Sequence, residues 1–70
     1  MATAFEKRVL AALKRDADKL GYSGGLMADV ASELSATSGE VHEALIHLKN
    51  EGCFRGKPYF DGEQYEVNIG

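Results

Sequence analysis

This chain offers nothing that could staple it. Its only cysteine, Cys53, has no second thiol to pair with, so no intramolecular disulfide can form. No Cys/His cluster has the spacing of a structural zinc site. No apolar run approaches the ~18 residues needed to cross a bilayer, so no membrane partner is expected. Internal repeats, linkers and low-complexity tracts are missing too. So are a Ser/His/Asp set, a phosphate-cradling loop and paired carboxylates in a plausible cleft, and 70 residues leave little chain for a pocket. The sequence therefore points away from an enzyme and implies no cofactor and no metal. A lone thiol with no signal peptide leads us to expect a reducing cytoplasm.

What is present is an ordinary globular composition, 44% hydrophobic and 27% charged. The expectation is a single domain over residues 1–70. A chain this short buries only about 60% of the surface its unfolded form exposes, so self-association is one route to added stability. The net charge of −3 is unevenly spread. From Thr3 to Leu20, Lys7, Arg8, Lys14, Arg15 and Lys19 outnumber Glu6, Asp16 and Asp18. From Met27 to Glu51, Lys49 stands alone against Asp29, Glu33, Glu40, Glu43 and Glu51. Beyond Gly52, Arg55 and Lys57 face Asp61, Glu63 and Glu66. Attraction to phosphate must then come from the first helix or the C-terminal hairpin.

Thr3-Ala-Phe-Glu6 has the spacing of a capping box, in which hydroxyl and carboxylate satisfy each other's amides. Phe5, Val9, Leu13, Ala17 and Leu20 follow at helical spacing, widened by Leu10, which predicts a first helix over about 3–20. Gly21 is the expected terminator, and Tyr22-Ser-Gly-Gly25 reads as a flexible turn. Leu26, Val30, Ala31 and Leu34 make one face of a second helix over about 26–34, with Asp29 near its positive end. After a turn at Ser35-Ala36, Thr37 and Glu40 form a second capping box. The third helix then runs over about 38–50, burying Val41, Ala44, Leu45 and Leu48, and Gly52 stops it.

Past Gly52 the apolar period becomes twofold, predicting strands over about 53–60 and 63–69 around an Asp61-Gly62 turn. That turn pairs Phe60 with Glu63, Pro58 with Tyr65, Gly56 with Val67 and Phe54 with Ile69. Phe54, Pro58, Tyr65, Val67 and Ile69 then cover the helices, while Arg55, Lys57, Tyr59, Gln64, Glu66 and Asn68 face outward. A slip with Gly62 as a bulge is the alternative register.

The segment from Asp29 to Gly52 resembles the MarR/ArsR/Lrp-type winged helix-turn-helix regulators. Asp29, Val30, Ala31, Leu34, Thr37, Val41, Ala44, Leu45, Leu48 and Gly52 fall on that pattern without a gap, about a third of the chain. The resemblance implies an α+β fold, a three-helix winged helix-turn-helix. It further implies that the third helix enters the major groove of duplex DNA while the wing contacts a groove or the backbone. Carried onto this chain, the DNA-contacting positions are Ser38, Gly39, Glu40, His42, Glu43 and His47, with Arg55 and Lys57 in the wing stem. Two departures stand out: the acids Glu40 and Glu43 occupy positions where such readers carry neutral or basic side chains, and Asp61 and Glu63 occupy the wing turn. A carboxylate can accept from cytosine N4, but two of them oppose approach to phosphates.

Each of these residues has a second reading. Glu40 is explained by its capping spacing, and Glu43 is either solvated or a contact. His42 and His47 lie roughly 140° apart around a helix, so they cannot chelate one metal from one face; surface or partly packed histidines are the alternative to a DNA contact. Ile46 faces outward as a thymine-methyl contact, a partner anchor or an isolated apolar residue. Arg8, Arg15 and Lys19 share a stripe that is either a solvated face or a footprint for phosphate or an acidic partner. Glu66 stands opposite Lys57 in the expected register, able to pair with it, and Cys53 is expected to be buried.

Two functions compete. One is a small DNA-binding transcriptional regulator, a homodimer because two half-sites need two readers. The other is an acidic winged-helix module that contacts a protein through its third helix and Ile46. Protonating His42 and His47 moves the formal charge from −3 to −1. If these side chains lie at a DNA interface, affinity rises as pH falls toward about 6, which fluorescence titration across that range would show; a flat profile removes them from the interface.

Overall fold

A computed structural model of the chain describes residues 2–17 and 19–69. Along these residues run α1 (Ala4–Asp16), β1 (Tyr22–Leu26), α2 (Met27–Glu33), α3 (Ser38–Asn50), β2 (Arg55–Asp61) and β3 (Gln64–Asn68). The architecture is α+β, three helices and a three-stranded antiparallel sheet in the order β1-β3-β2.

Both capping boxes form. The Glu6 N–H donates to Thr3 Oγ1 at 3.1 Å and Glu6 Oε1 accepts from the Thr3 N–H at 3.1 Å. Thr37 and Glu40 repeat the arrangement at 3.1 and 3.0 Å, and α3 occupies its expected span. α1 is shorter than its apolar spacing predicts. It ends at Asp16, because Ala17 turns extended with ψ 137, leaving Leu20 72% exposed and Lys19 outside the helix. Residue 18, within the expected helix, lies outside the described residues. The chain must leave α1 early in order to enter the sheet. Gly21, with φ 85, accepts at its carbonyl from the Ile69 N–H at 2.6 Å, which aligns β1 beside β3.

β1 is the main correction to the sequence reading. Tyr22-Ser-Gly-Gly25 is a strand, not a flexible turn, pairing Tyr22 with Asn68 and Gly25 with Tyr65. Its glycines lower intrinsic strand preference, so only the free edge of β3 makes it a strand. At Gly24 the close pairing has a steric basis, since a Cβ there would lie 3.2 Å from the Tyr65 carbonyl oxygen. Leu26 closes β1 and is 41% exposed, instead of lying on the buried face of α2; Met27 takes the core position.

The turn between α2 and α3 closes with Ser35 in the left-handed region at φ 56. The Ala36 N–H reaches back to the Ala31 carbonyl at 2.8 Å and the Ser35 N–H to Ser32 at 3.3 Å, the paired bonds of a Schellman termination. α3 ends the same way, with Gly52 at φ 77 and the Cys53 N–H on the Leu48 carbonyl at 3.0 Å.

The hairpin keeps the expected inward faces but changes partners. Its turn centres on Gly62-Glu63, with Gly62 at φ 53, so Phe60 pairs with Tyr65 and Tyr59 with Glu66. The shift is two residues, which preserves the faces where a one-residue slip would reverse them. Toward the stem the register changes at an irregularity between Arg55 and Tyr59, and Arg55 pairs with Asn68, as the sequence-derived register requires there. Pro58, which has no N–H to give a ladder, lies within that bulge on an edge strand. Glu66 consequently stands opposite Tyr59 and not opposite Lys57.

The core gathers Val9 and Leu13 from α1, Met27, Val30 and Ala31 from α2, Val41, Ala44, Leu45 and Leu48 from α3, and Phe54, Tyr65 and Val67. Cys53 is half-buried against this cluster, short of the full burial its position suggested, because it belongs to the link leaving α3. Ser35 is the one described non-glycine residue with positive φ. Relieving it in a Ser35→Gly variant should raise stability by roughly 0.5–1 kcal/mol, a gain of several degrees in Tm for a chain of this size. Thermal unfolding followed by circular dichroism measures this, and a lower Tm contradicts it.

Candidate functional site

The surface on which the sequence-derived contacts converge is the face of α3 turned away from the core. Because Val41, Ala44, Leu45 and Leu48 point inward, Gly39, Glu43 and Asn50 fall on the opposite side and are exposed. Ser38 and Glu40 are exposed at the helix start, with Glu40 held as the capping residue of Thr37. Ile46 is half-buried on this outward side. His42 is also half-buried, because its ring meets Phe60 of β2 edge-to-face with centroids 6.1 Å apart. That contact brings Phe60, near the end of β2, against α3.

His47 belongs to a different arrangement. Its Nδ1 lies 2.8 Å from Oε2 of Glu6, a side chain that is nearly fully buried while His47 remains half-exposed. The two oxygens of Glu6 thus divide their work, Oε1 capping α1 and Oε2 bridging to α3. The hydrogen bond to His47, reinforced by the Thr3 amide, holds the Glu6 carboxyl below the usual carboxylate range, against the opposing effect of burial. His47 is therefore foremost a clamp between α1 and α3. Sequence spacing alone could not reveal it, because the two residues lie 41 positions apart.

The expected cationic stripe on α1 is broken up. Arg15 is committed to Asp16 at 3.1 Å and to Glu33 of α2, and these carboxylates raise its pKa further. Arg8 stays exposed with its guanidinium 5.8 Å from the centre of the Phe5 ring. Lys19 is exposed, off the helix and out of line with the other two. On the hairpin, Arg55 and Lys57 are exposed at the stem and bulge of β2. The hairpin turn does not project freely: β1 accompanies β3 as far as Gln64, and the Glu63 carbonyl accepts from the Met27 N–H at 2.7 Å. Tyr59 donates to Asp61 at 3.0 Å near that end, and the acceptor charge raises its pKa.

The structure thus joins α3 to β2 through His42 and Phe60, leaves Arg55 and Lys57 exposed further along that strand, and diverts His47 and Arg15 to intramolecular pairs. Among the described residues no group of three His, Cys, Asp or Glu side chains is placed to hold a metal ion, and no helix is long and apolar enough to cross a membrane.

The Glu6 carboxyl makes the acid limb of stability testable. Its folded pKa lies below the ordinary 4.5, so its contribution is complete above that value and is lost as pH falls through the folded pKa. A Glu6→Gln variant should have a lower urea midpoint at neutral pH and a shallower loss on acidification. Equal losses in both proteins would contradict the clamp. In comparisons with known proteins, no family model, no curated protein and no solved structure matches this chain.

Proposed function

We propose that the chain is a winged helix-turn-helix domain that reads double-stranded DNA as a transcriptional regulator, with α3 in the major groove and β2 on the backbone. The observation that carries this reading is the pairing of surfaces around α3. Its outward face is left uncovered at Ser38, Gly39 and Glu43, the His42–Phe60 contact brings one end of β2 against the helix, and the same strand carries the exposed cations Arg55 and Lys57. The helix order, the capped start of α3 at Thr37 and the resemblance over Asp29–Gly52 support the same reading. With its turn docked against α2, the wing contributes its stem and bulge in place of its tip. Arg55 and Lys57 supply the phosphate contacts, joined by Arg8 where α1 approaches the backbone. A pair of copies would serve a two-fold operator, each reading one half-site.

The charge sets the strength. Few cations release few counterions, so binding is weak and its salt dependence shallow, with a slope of about −2 per chain in log K against log salt if two phosphates are met. Fluorescence anisotropy with a mixed-sequence duplex at low salt is the test. Arg55→Ala and Lys57→Ala should each weaken binding and cut the slope by about 0.9. Absence of binding at high micromolar protein overturns the reading.

A second reading, an acidic protein-contact module, is favoured by Glu40 and Glu43 exposed together beside the half-buried Ile46. Reversing Glu43 to Lys separates the two. Under the DNA reading it strengthens duplex binding; under the protein reading it removes the recognition element and abolishes partner binding.

A further inference from the structure

The two edges of the sheet are unlike. β2 carries the defences that edge strands need, two cations, a proline and a bulge. β1, Tyr-Ser-Gly-Gly-Leu, carries no charge, no proline and no irregularity in its pairing with β3. The ladder fixes which of its backbone groups face outward. Ile69 donates to Gly21 and Met27 donates to Glu63, so the odd-numbered residues of β1 exchange the bonds with β3. The N–H and C=O of Gly24 and the N–H of Leu26 therefore point to the open edge, and both residues are exposed.

The flanks of this edge are chemically distinct. On the helix side Gly25 stands opposite Tyr65 without a side chain to cover it, and a Cβ built there would meet nothing within 4 Å. The depression left over the Tyr65 ring is lined by Asp16, Asp29 and Glu33. Arg15 pairs with Asp16 and Glu33, so it offsets only part of this acidity and leaves Asp29 uncompensated by it. Burial foremost, and then these same three acids, push the Tyr65 hydroxyl's pKa up. The depression measures about 150 Å³, below the ~300 Å³ at which small-molecule sites begin and suited to one long side chain. On the outer face, Leu26 and Tyr59 are exposed apolar surface flanking the Gly24–Glu66 pair.

We infer that the β1 edge is a docking site for an extended basic peptide, which adds as a fourth strand with Lys or Arg over Asp29, Glu33 and Asp16 and apolar side chains over Leu26. Backbone bonds to Gly24 and Leu26 supply register, and the alternation of the added strand matches the acidic inner flank and the apolar outer one. A second copy of this chain is the poorer occupant, because two-fold pairing of β1 edges brings the same acids toward each other. The acidic rim equally opposes nucleic acid. The β1 edge engages atoms distinct from the α3 face and from the β2 cations.

The test is titration of the isotope-labelled chain with a blocked alternating Lys-Val peptide and with its Glu-Val counterpart, followed by amide NMR. The Lys-Val peptide should shift the Gly24 and Leu26 amides, slow their hydrogen exchange and lose affinity with added salt, while Glu-Val leaves them unmoved. Asp29→Lys should weaken binding roughly fivefold, and Asp29→Asn by less, should the reversal impair folding. Shifts confined to α3, equal response to both peptides, or none at millimolar peptide overturn the proposal. Concentration-dependent protection of Gly24 in the free chain overturns it in favour of self-pairing.

Discussion

The strand β3 must be satisfied on both sides, and most of the molecule follows from that requirement. Tyr65 and Val67 bury their side chains against the helices, which draws the backbone of Gln64–Asn68 into the interior, where an unpaired amide is costly. The hairpin with β2 satisfies one edge. The other is satisfied by Tyr22–Leu26, a segment with little strand preference of its own. Recruiting that segment cuts α1 short at Asp16, moves Leu26 off the buried face of α2 and hands its place to Met27. It also draws the hairpin turn against the start of α2 through the Met27–Glu63 bond, so the hairpin does not project freely.

The helices are fastened by polar contacts at their two ends. Glu6 and His47 join the start of α1 to the later turns of α3, while Arg15, also paired with Asp16 of its own helix, joins the end of α1 to Glu33 of α2. Glu6–His47 is the partly buried pair. It gains from partial shelter against solvent screening and from the cap that already fixes the carboxylate, whereas the Arg15 contacts sit in solvent and weigh less. In a chain with no disulfide, these contacts orient α1 against α3 at one end and α2 at the other, in addition to the apolar core. They also remove a histidine and an arginine from the set available to an external ligand.

Charge is consequently sorted by surface. β2 keeps Arg55 and Lys57 exposed, while acids gather on the α3 start and along the β1 edge. A phosphate backbone and a basic peptide would be drawn to different faces. The two proposed interactions are thus compatible on one small domain, and with so few free cations the proposed DNA contact would rest on shape and two or three phosphates more than on a broad electrostatic field.

Local signals were legible in the residues themselves. Thr3–Glu6 and Thr37–Glu40 form their capping boxes, the buried stripe of α3 is Val41, Ala44, Leu45 and Leu48, and Gly52 ends it, because each depends on neighbours within one helical turn. The inward faces of the hairpin were legible for the same reason: they follow from alternation, though the partners did not, since a two-residue shift leaves alternation unchanged. Glu6 meeting His47, Arg15 meeting Glu33, and Tyr22–Leu26 becoming a strand were decided only by the tertiary structure. Each joins residues far apart in the chain, and each is stabilised by a partner surface that exists only once the core has formed.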